Sequence, residues 1–401
     1  MKKKIYILAI LYLVFGISVN LIHPITTNYV RSLELNDVYF GLFFSLMSLG
    51  MFIGSIGWGK LSDKVGRTLI LSIGIIGYAF FQFCFGYFNT IPFLILIFRV
   101  CSGIFIGAPH TLFLSFVRDI ESQENQGKAF TLLSSLYLLG TALGYKIGGF
   151  LYSEIHLEFI EVFLVQCFVC ITLAISFFII FNKENTNKLE IKSKYGSLLN
   201  IKKLDYYLVG FLVTLLFITL SQTIVTKYID VFVIDLEYDS NNLGDTVLFS
   251  GIIGIISNLV FLKVLDKYKN LNYERFYIVL VFISVVSLLL TFTVNQNNFI
   301  LMMYTTYVFF IASKSLMLPL EQTIISKLSK GNSGEVMGIR QSFVALGQVI
   351  GPIIAASMYE NNHYSVFYLS IITYLVMGFL LLILLRIKNK KNSIKTFSEF
   401  S

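Results

Sequence analysis

The sequence is short of nearly everything that a water-soluble chain of its length needs. Only 13% of its 401 residues are charged, and it holds one tryptophan, four histidines, four cysteines and five prolines. Charged residues normally make up about a quarter of a globular domain, so this chain cannot cover a conventional surface. The cysteines Cys84, Cys101, Cys167 and Cys170 all fall inside apolar runs, which excludes a disulfide-stapled secreted domain, and no cluster has metal-ligand spacing. Cys167 and Cys170 read as a helical packing pair rather than a redox site. There is no phosphate-binding glycine loop after a strand pattern and no histidine-acid motif, so neither an enzyme nor a cofactor is expected. No soluble segment is long enough for a receptor domain, which leaves a membrane sensor as a remote alternative.

What is present is apolar. Hydrophobic residues make up 56% of the chain, and the mean hydropathy is +0.76. The solvent that tolerates such a chain is a lipid bilayer, which a helix of ~20 apolar residues can cross. Apolar runs predict spans near 5–30, 38–58, 69–88, 92–117, 128–152 and 160–181, then 205–232, 243–262, 276–294, 298–326, 335–358 and 363–386. The basic start of the first run resembles a signal peptide, but no small-x-small cleavage site follows, so it is read as a retained helix. The polar stretch 182–204 is the natural linker. It divides the chain into a six-helix bundle at 1–181 and another at 205–386, followed by a tail at 387–401.

The formal charge of +8 invites a nucleic-acid reading. The positions of the basic residues argue against it. With the N-terminus inside, 26 of the 31 lysines and arginines fall in alternate loops and the tail, while the opposite loops hold only Arg31 and carry Glu34, Asp37, Glu154, Glu158, Asp235 and Asp245. Basic loops stay cytoplasmic, so both termini are expected inside a bacterial-type inner membrane. The other four cations, Arg99, Lys146, Lys227 and Lys314, lie within predicted spans.

The two halves share a pattern. Residues 127–152 and 334–359 align at an offset of 207, matching Gly127 with Gly334, Gly140 with Gly347, Gly144 with Gly351, and Tyr152 with Tyr359. Duplicated bundles are a common origin of transporters.

The segment GKLSDKVGRTLIL at 59–71 joins the second and third spans. Gly59 and Gly66 allow a tight turn and close helix approach, and Asp63 precedes a helix N-terminus that favours an anion. With Gly59, Leu61, Asp63, Gly66 and Arg67 filling G-x-L-x-D-x-x-G-R, the segment resembles the signature loop of the major facilitator superfamily. The resemblance implies an all-α membrane fold of twelve helices in two pseudo-symmetric six-helix bundles. It assigns Asp63 and Arg67 to a cytoplasmic latch, with Arg118 as the expected partner of Asp63.

Further motifs are similar to the bacterial drug:proton antiporter branch. Arg99 and Gly103 keep its R-x-x-x-G. Gly140, Gly144, Gly148 and Gly149 keep most of G-x-x-x-G-P-x-x-G-G, but Tyr145 stands in place of proline and Lys146 follows. The eleventh span retains Gly347, Gly351 and Pro352. The branch implies proton-coupled export of small amphipathic compounds by alternating access, as in multidrug resistance, with a monomer expected.

A charged arginine in mid-bilayer costs ~3 kcal/mol or more, so Arg99 should face a cavity and meet an anion or backbone carbonyls. Arg99, Gly103, Ile106 and His110 form one helical stripe. Asn20 and His23 in the first span can point inward, and His23 is a secondary proton site because imidazole titrates near neutral pH. Lys314 and Glu321 share a face and are expected to line a common aqueous cavity. Glu321 is the main candidate for proton coupling; the competing reading is a structural pair with Lys314 or Arg340. Lys227 and Asp230 are spaced for an interfacial salt bridge. Because Arg99, Lys146 and Lys314 face only Glu321, a second reading is a dedicated exporter of an anionic or zwitterionic metabolite, such as a metallophore or lipid-linked precursor.

Overall fold

The computed structural model describes residues 3–36, 38–88, 90–121, 125–182, 205–267, 272–292, 296–328 and 333–399. The side chains of some helical residues, Asp63 and Arg118 among them, fall outside that description, and so does their expected pairing. All regular structure among the described residues is helical. Twelve helical segments are long and apolar enough to cross a membrane. Each overlaps one span predicted from the sequence.

The helices are α1 (Lys3–Asn20), a 3-10 turn (His23–Ile25), α2 (Thr26–Ser32), α3 (Val38–Val65), α4 (Arg67–Tyr87), α5 (Pro92–Ile120), α6 (Gln126–Ser153) and α7 (Phe159–Phe181). They continue as α8 (Tyr206–Asp235), α9 (Ser240–Lys267), α10 (Tyr273–Phe292), α11 (Gln296–Thr305), α12 (Tyr307–Leu328), α13 (Ser333–Tyr359) and α14 (Ser365–Glu399). Two spans are therefore composite. In the first, Pro24 lies in the 3-10 turn between α1 and α2; proline has no N–H to extend the ladder of α1. In the tenth, Thr306 separates α11 from α12. The residues expected to form a tail extend α14 as far as Glu399.

The chain folds as two compact units. The first comprises Met1–Lys192 and Ile229–Ile255, the second Ser193–Tyr228 and Ile256–Ser401. Within the first, α1 packs on α6, while α5 packs on α3 and α4, and α4 on α7. Its core holds Leu8, Phe15, Ile75, Phe113 and Phe177. Within the second, α10 packs on α12 and α14.

Amphipathicity here separates packing from lipid rather than core from water. Along α7, Gln166, Cys170, Leu173 and Phe177 are buried, whereas Phe168 and Ile179 are 73% and 70% exposed. Such an apolar outer face is expected where lipid is the neighbour. All four cysteines are free thiols, and three of them are buried. Among the described residues, no group of histidine, cysteine or acidic side chains is arranged to hold a metal.

The glycines of the 59–71 segment separate into two kinds. Gly66 ends the turn before α4 at φ 116°, a conformation that a side chain makes costly. Gly59 has open space where a Cβ would stand, so it serves no close helix approach in this structure. Gly66→Ala is expected to lower stability by ~1–3 kcal/mol, while Gly59→Ala leaves it unchanged. Unfolding of both variants in mixed micelles on SDS titration checks this, and equal losses would remove the turn geometry as the cause.

Candidate functional site

In the first unit, fully buried Arg99 projects from α5 between α3 and α4. Its Nη1 donates to Gln82 Oε1 at 3.0 Å and its Nε to the Phe43 carbonyl at 3.3 Å. The guanidinium lies 4.6 Å from the centre of the Phe85 ring, with Phe43 and Phe44 at 5.9 and 5.8 Å. Its charge is thus met by ring faces and carbonyl oxygens, an arrangement whose attraction grows when water is excluded. Arg99 Nη2 has no hydrogen-bond partner among the described residues.

Gln82 extends this contact into a polar chain. Its amide donates to the Tyr78 hydroxyl at 3.0 Å, which donates to the Val19 carbonyl of α1 at 3.3 Å. Gln166 of α7 donates to Tyr78 at 3.3 Å and to the Ser18 carbonyl at 2.7 Å. Five helices are therefore tied through Arg99 and three polar side chains that the motifs do not mark. Amides inside apolar spans were the available signal, because an uncompensated amide is expensive in hydrocarbon.

The other candidates of this unit are engaged in packing. Asn20 Nδ2 donates to the Gly16 carbonyl at 2.8 Å and Thr141 Oγ1 at 3.3 Å. His23 stacks between Phe44 and Tyr145, with ring centres 5.3 and 5.5 Å away. His110 is half-buried and meets Phe15 and Tyr137 edge to face. Gly103 allows α5 to approach the Met47 carbonyl of α3.

Tyr145, where the motif has proline, gives its hydroxyl to Asp230 Oδ2 at 3.0 Å. Lys146 bonds Asp245 Oδ1 and Asn241 Oδ1, both at 2.6 Å, and Asn241 in turn donates to Glu154 at 3.0 Å. Its charge is therefore balanced by Asp245, and a cavity role based on an uncompensated Lys146 does not follow. Arg31 joins Asp235 at 2.6 Å. On the 59–71 segment, Arg67 pairs with Asp119 Oδ2 at 2.7 Å, next to the Arg118 that the sequence had offered to Asp63.

In the second unit, Glu321 of α12 binds Arg340 of α13, with both side chains nearly buried. The charge count treats Arg340 as a loop residue, yet it is a helical residue paired across two spans. Glu321 lies four residues inside the end of its span, Leu301–Ile325. Pro319 stands between it and Lys314. Lys314, partly buried, stands on α12 between the buried Phe310 and Met317. Tyr228 of α8 donates to the Pro352 carbonyl of α13 at 3.2 Å.

The glycine motif has one structural meaning in both halves. A Cβ at Gly140, Gly144 or Gly148 of α6 would run into the carbonyl oxygens of Leu13, Ile17 or Leu21 in the first span. At Gly347 or Gly351 of α13 it would meet those of Leu216 or Leu220 in α8. The first helix of each half packs on the fifth through the aligned glycines.

Comparison with known proteins agrees with this architecture. Residues 8–313 and 270–400 match the Major Facilitator Superfamily. Multidrug resistance protein 1 of Bacillus subtilis (strain 168) is 24% identical over 384 residues, covering 93% of this chain and 95% of that protein. Quinolone resistance protein NorA of Staphylococcus aureus (strain COL) is 24% identical over 373 residues, covering 92% and 94%. A crystal structure of a bacterial homolog to the human lysosomal transporter Spinster, inward-facing and occupied, superposes with a TM-score of 0.70 at 11% identity, covering 95% and 96%. With its twelve membrane-crossing helices and repeated glycine packing, the chain belongs to the Major Facilitator Superfamily and is a multi-pass membrane transporter rather than an enzyme.

Proposed function

We propose that this transporter exports small amphipathic compounds from the cell in exchange for protons, working as a monomer with both termini in the cytoplasm. The observation that carries the coupling is the buried Glu321–Arg340 pair. A proton on Glu321 removes the charge that holds Arg340 and frees α12 from α13 at the end of their spans. Its departure restores the pair. If substrate and proton favour opposite arrangements of these helices, the two are exchanged by population shift, without a fuel molecule. The multidrug and quinolone resistance proteins among the relatives support export. The alternation of basic loops supports the orientation. His23, stacked on the Tyr145 ring whose hydroxyl bonds Asp230, is a secondary proton site.

The test is a screen of amphipathic dyes of both charges in proteoliposomes with an acid interior. Gradient-dependent accumulation of at least one dye is expected, and Glu321→Gln should reduce it at least tenfold. A variant that still responds fully to the pH gradient sinks the coupling role of Glu321.

A further inference from the structure

The intramembrane cations differ in how their charge is answered. Lys146 has Asp245, Arg340 has Glu321, and Arg99 has Gln82 and the Phe43 carbonyl. Lys314 makes no hydrogen bond or ion pair among the described residues. Lys227 of α8, another cation, is close enough to act on it. No carboxylate on α12 offsets it, because Glu321 is taken by Arg340.

Its depth makes this consequential. Lys314 is at the middle of the span Leu301–Ile325, roughly 15 Å from either edge of a ~30 Å hydrocarbon core. A four-carbon stem cannot carry the ammonium that far to water. Nor does the side chain face lipid. Phe310, Met317 and Glu321 on its stripe are buried, while Phe309 on the opposite face is exposed. The inner stripe is polar beyond the lysine: Gln222 of α8 reaches Met317 Sδ at 3.8 Å, and Asn258 of α9 donates to Ser315 Oγ at 3.2 Å. A lysine so placed needs an anion that the described residues do not supply.

We infer that Lys314 is the anchoring site for the anionic group of the substrate, so that the transported amphiphile carries a carboxylate or phosphate-type charge seated within the second unit. Lys227 adds to the positive field around that group. The inference rests on the transport reading above and gives it a substrate class.

A matched pair of probes tests it, 1-pyrenebutyrate and (1-pyrenebutyl)trimethylammonium, which share an apolar body and differ in charge. Equilibrium binding to the full chain in lipid nanodiscs is read by probe anisotropy, with protein-free discs subtracted. Wild type should bind the carboxylate at least tenfold more tightly than the ammonium probe. Lys314→Gln should erase that preference and Lys314→Arg should keep it. Thermal unfolding gives an independent reading, since Lys314→Gln should be as stable as wild type or more so, having lost an unanswered charge. A wild-type preference for the cation, an unchanged preference in Lys314→Gln, or marked destabilisation of that variant each overturns the inference. Lys314-dependent binding without pH-driven flux would leave it standing and overturn the export reading; pH-driven flux of the cation alone would do the reverse.

Discussion

Glu321→Met should destabilise the transporter by about 3–5 kcal/mol, because it strands the Arg340 guanidinium in a nearly water-free site. Arg340→Met should cost less. The asymmetry is chemical: a carboxylate left alone can be neutralised by a proton, whereas a guanidinium stays charged at any accessible pH. The double variant Glu321→Met/Arg340→Met should return most of the lost stability, since two apolar side chains of similar size replace a desolvated pair. SDS titration of the four proteins in mixed micelles closes the cycle, and losses that simply add would show that the two groups do not act on each other. The double variant also separates folding from coupling. It should carry dye down its gradient while ignoring an imposed pH difference.

Spans were legible because lipid imposes one rule on every helix, namely ~20 apolar residues with polar ends, and all twelve appear in the fold. The glycine stripes were legible for a similar reason. Glycines four apart on one face mark close helix approach, and both halves use them against their first helix. Charge pairing was legible only at Glu321, to which the sequence offered Arg340 as one of two partners and which meets it. Arg67 meets Asp119 and Lys146 meets Asp245, each partner lying on a different helix at a distance that no local spacing fixes. A charge count by loops also misplaced Arg340, because a residue close to the end of a span looks the same in sequence whether it enters water or turns inward. The polar chain from Arg99 through Gln82, Tyr78 and Gln166 has no local signature either. Its members are isolated in sequence and meet only once α4, α5 and α7 pack.

Placing leucine at Gly140 or Gly148 should prevent α6 from docking on the first span and leave little folded protein in the membrane. Alanine should give graded losses that follow the geometry. A Cβ at Gly148 would overlap the Leu21 carbonyl and one at Gly140 that of Leu13, whereas the Cβ at Gly144 would stand 2.5 Å from the Ile17 carbonyl. At Gly347 it would stand 2.7 Å from the Leu216 carbonyl, and at Gly351 2.9 Å from that of Leu220. Overpacking of a tight interface typically costs ~1–3 kcal/mol. The expected order of loss is therefore Gly148, Gly140, Gly144, Gly347 and Gly351, from largest to smallest, in SDS titrations of the five alanine variants. A carbonyl oxygen belongs to the backbone of the facing helix and cannot swing aside as a side chain would, so relief requires the two helices to separate. That separation would also pull the Asn20 amide from Thr141, a 3.3 Å contact across the same interface. Dye transport per folded molecule should fall along with stability in the Gly140 and Gly144 variants, because each bundle works as a block only while its first and fifth helices stay in register. An alanine at Gly351 as damaging as one at Gly148 would show that side-chain space along these stripes is not what holds the helices together.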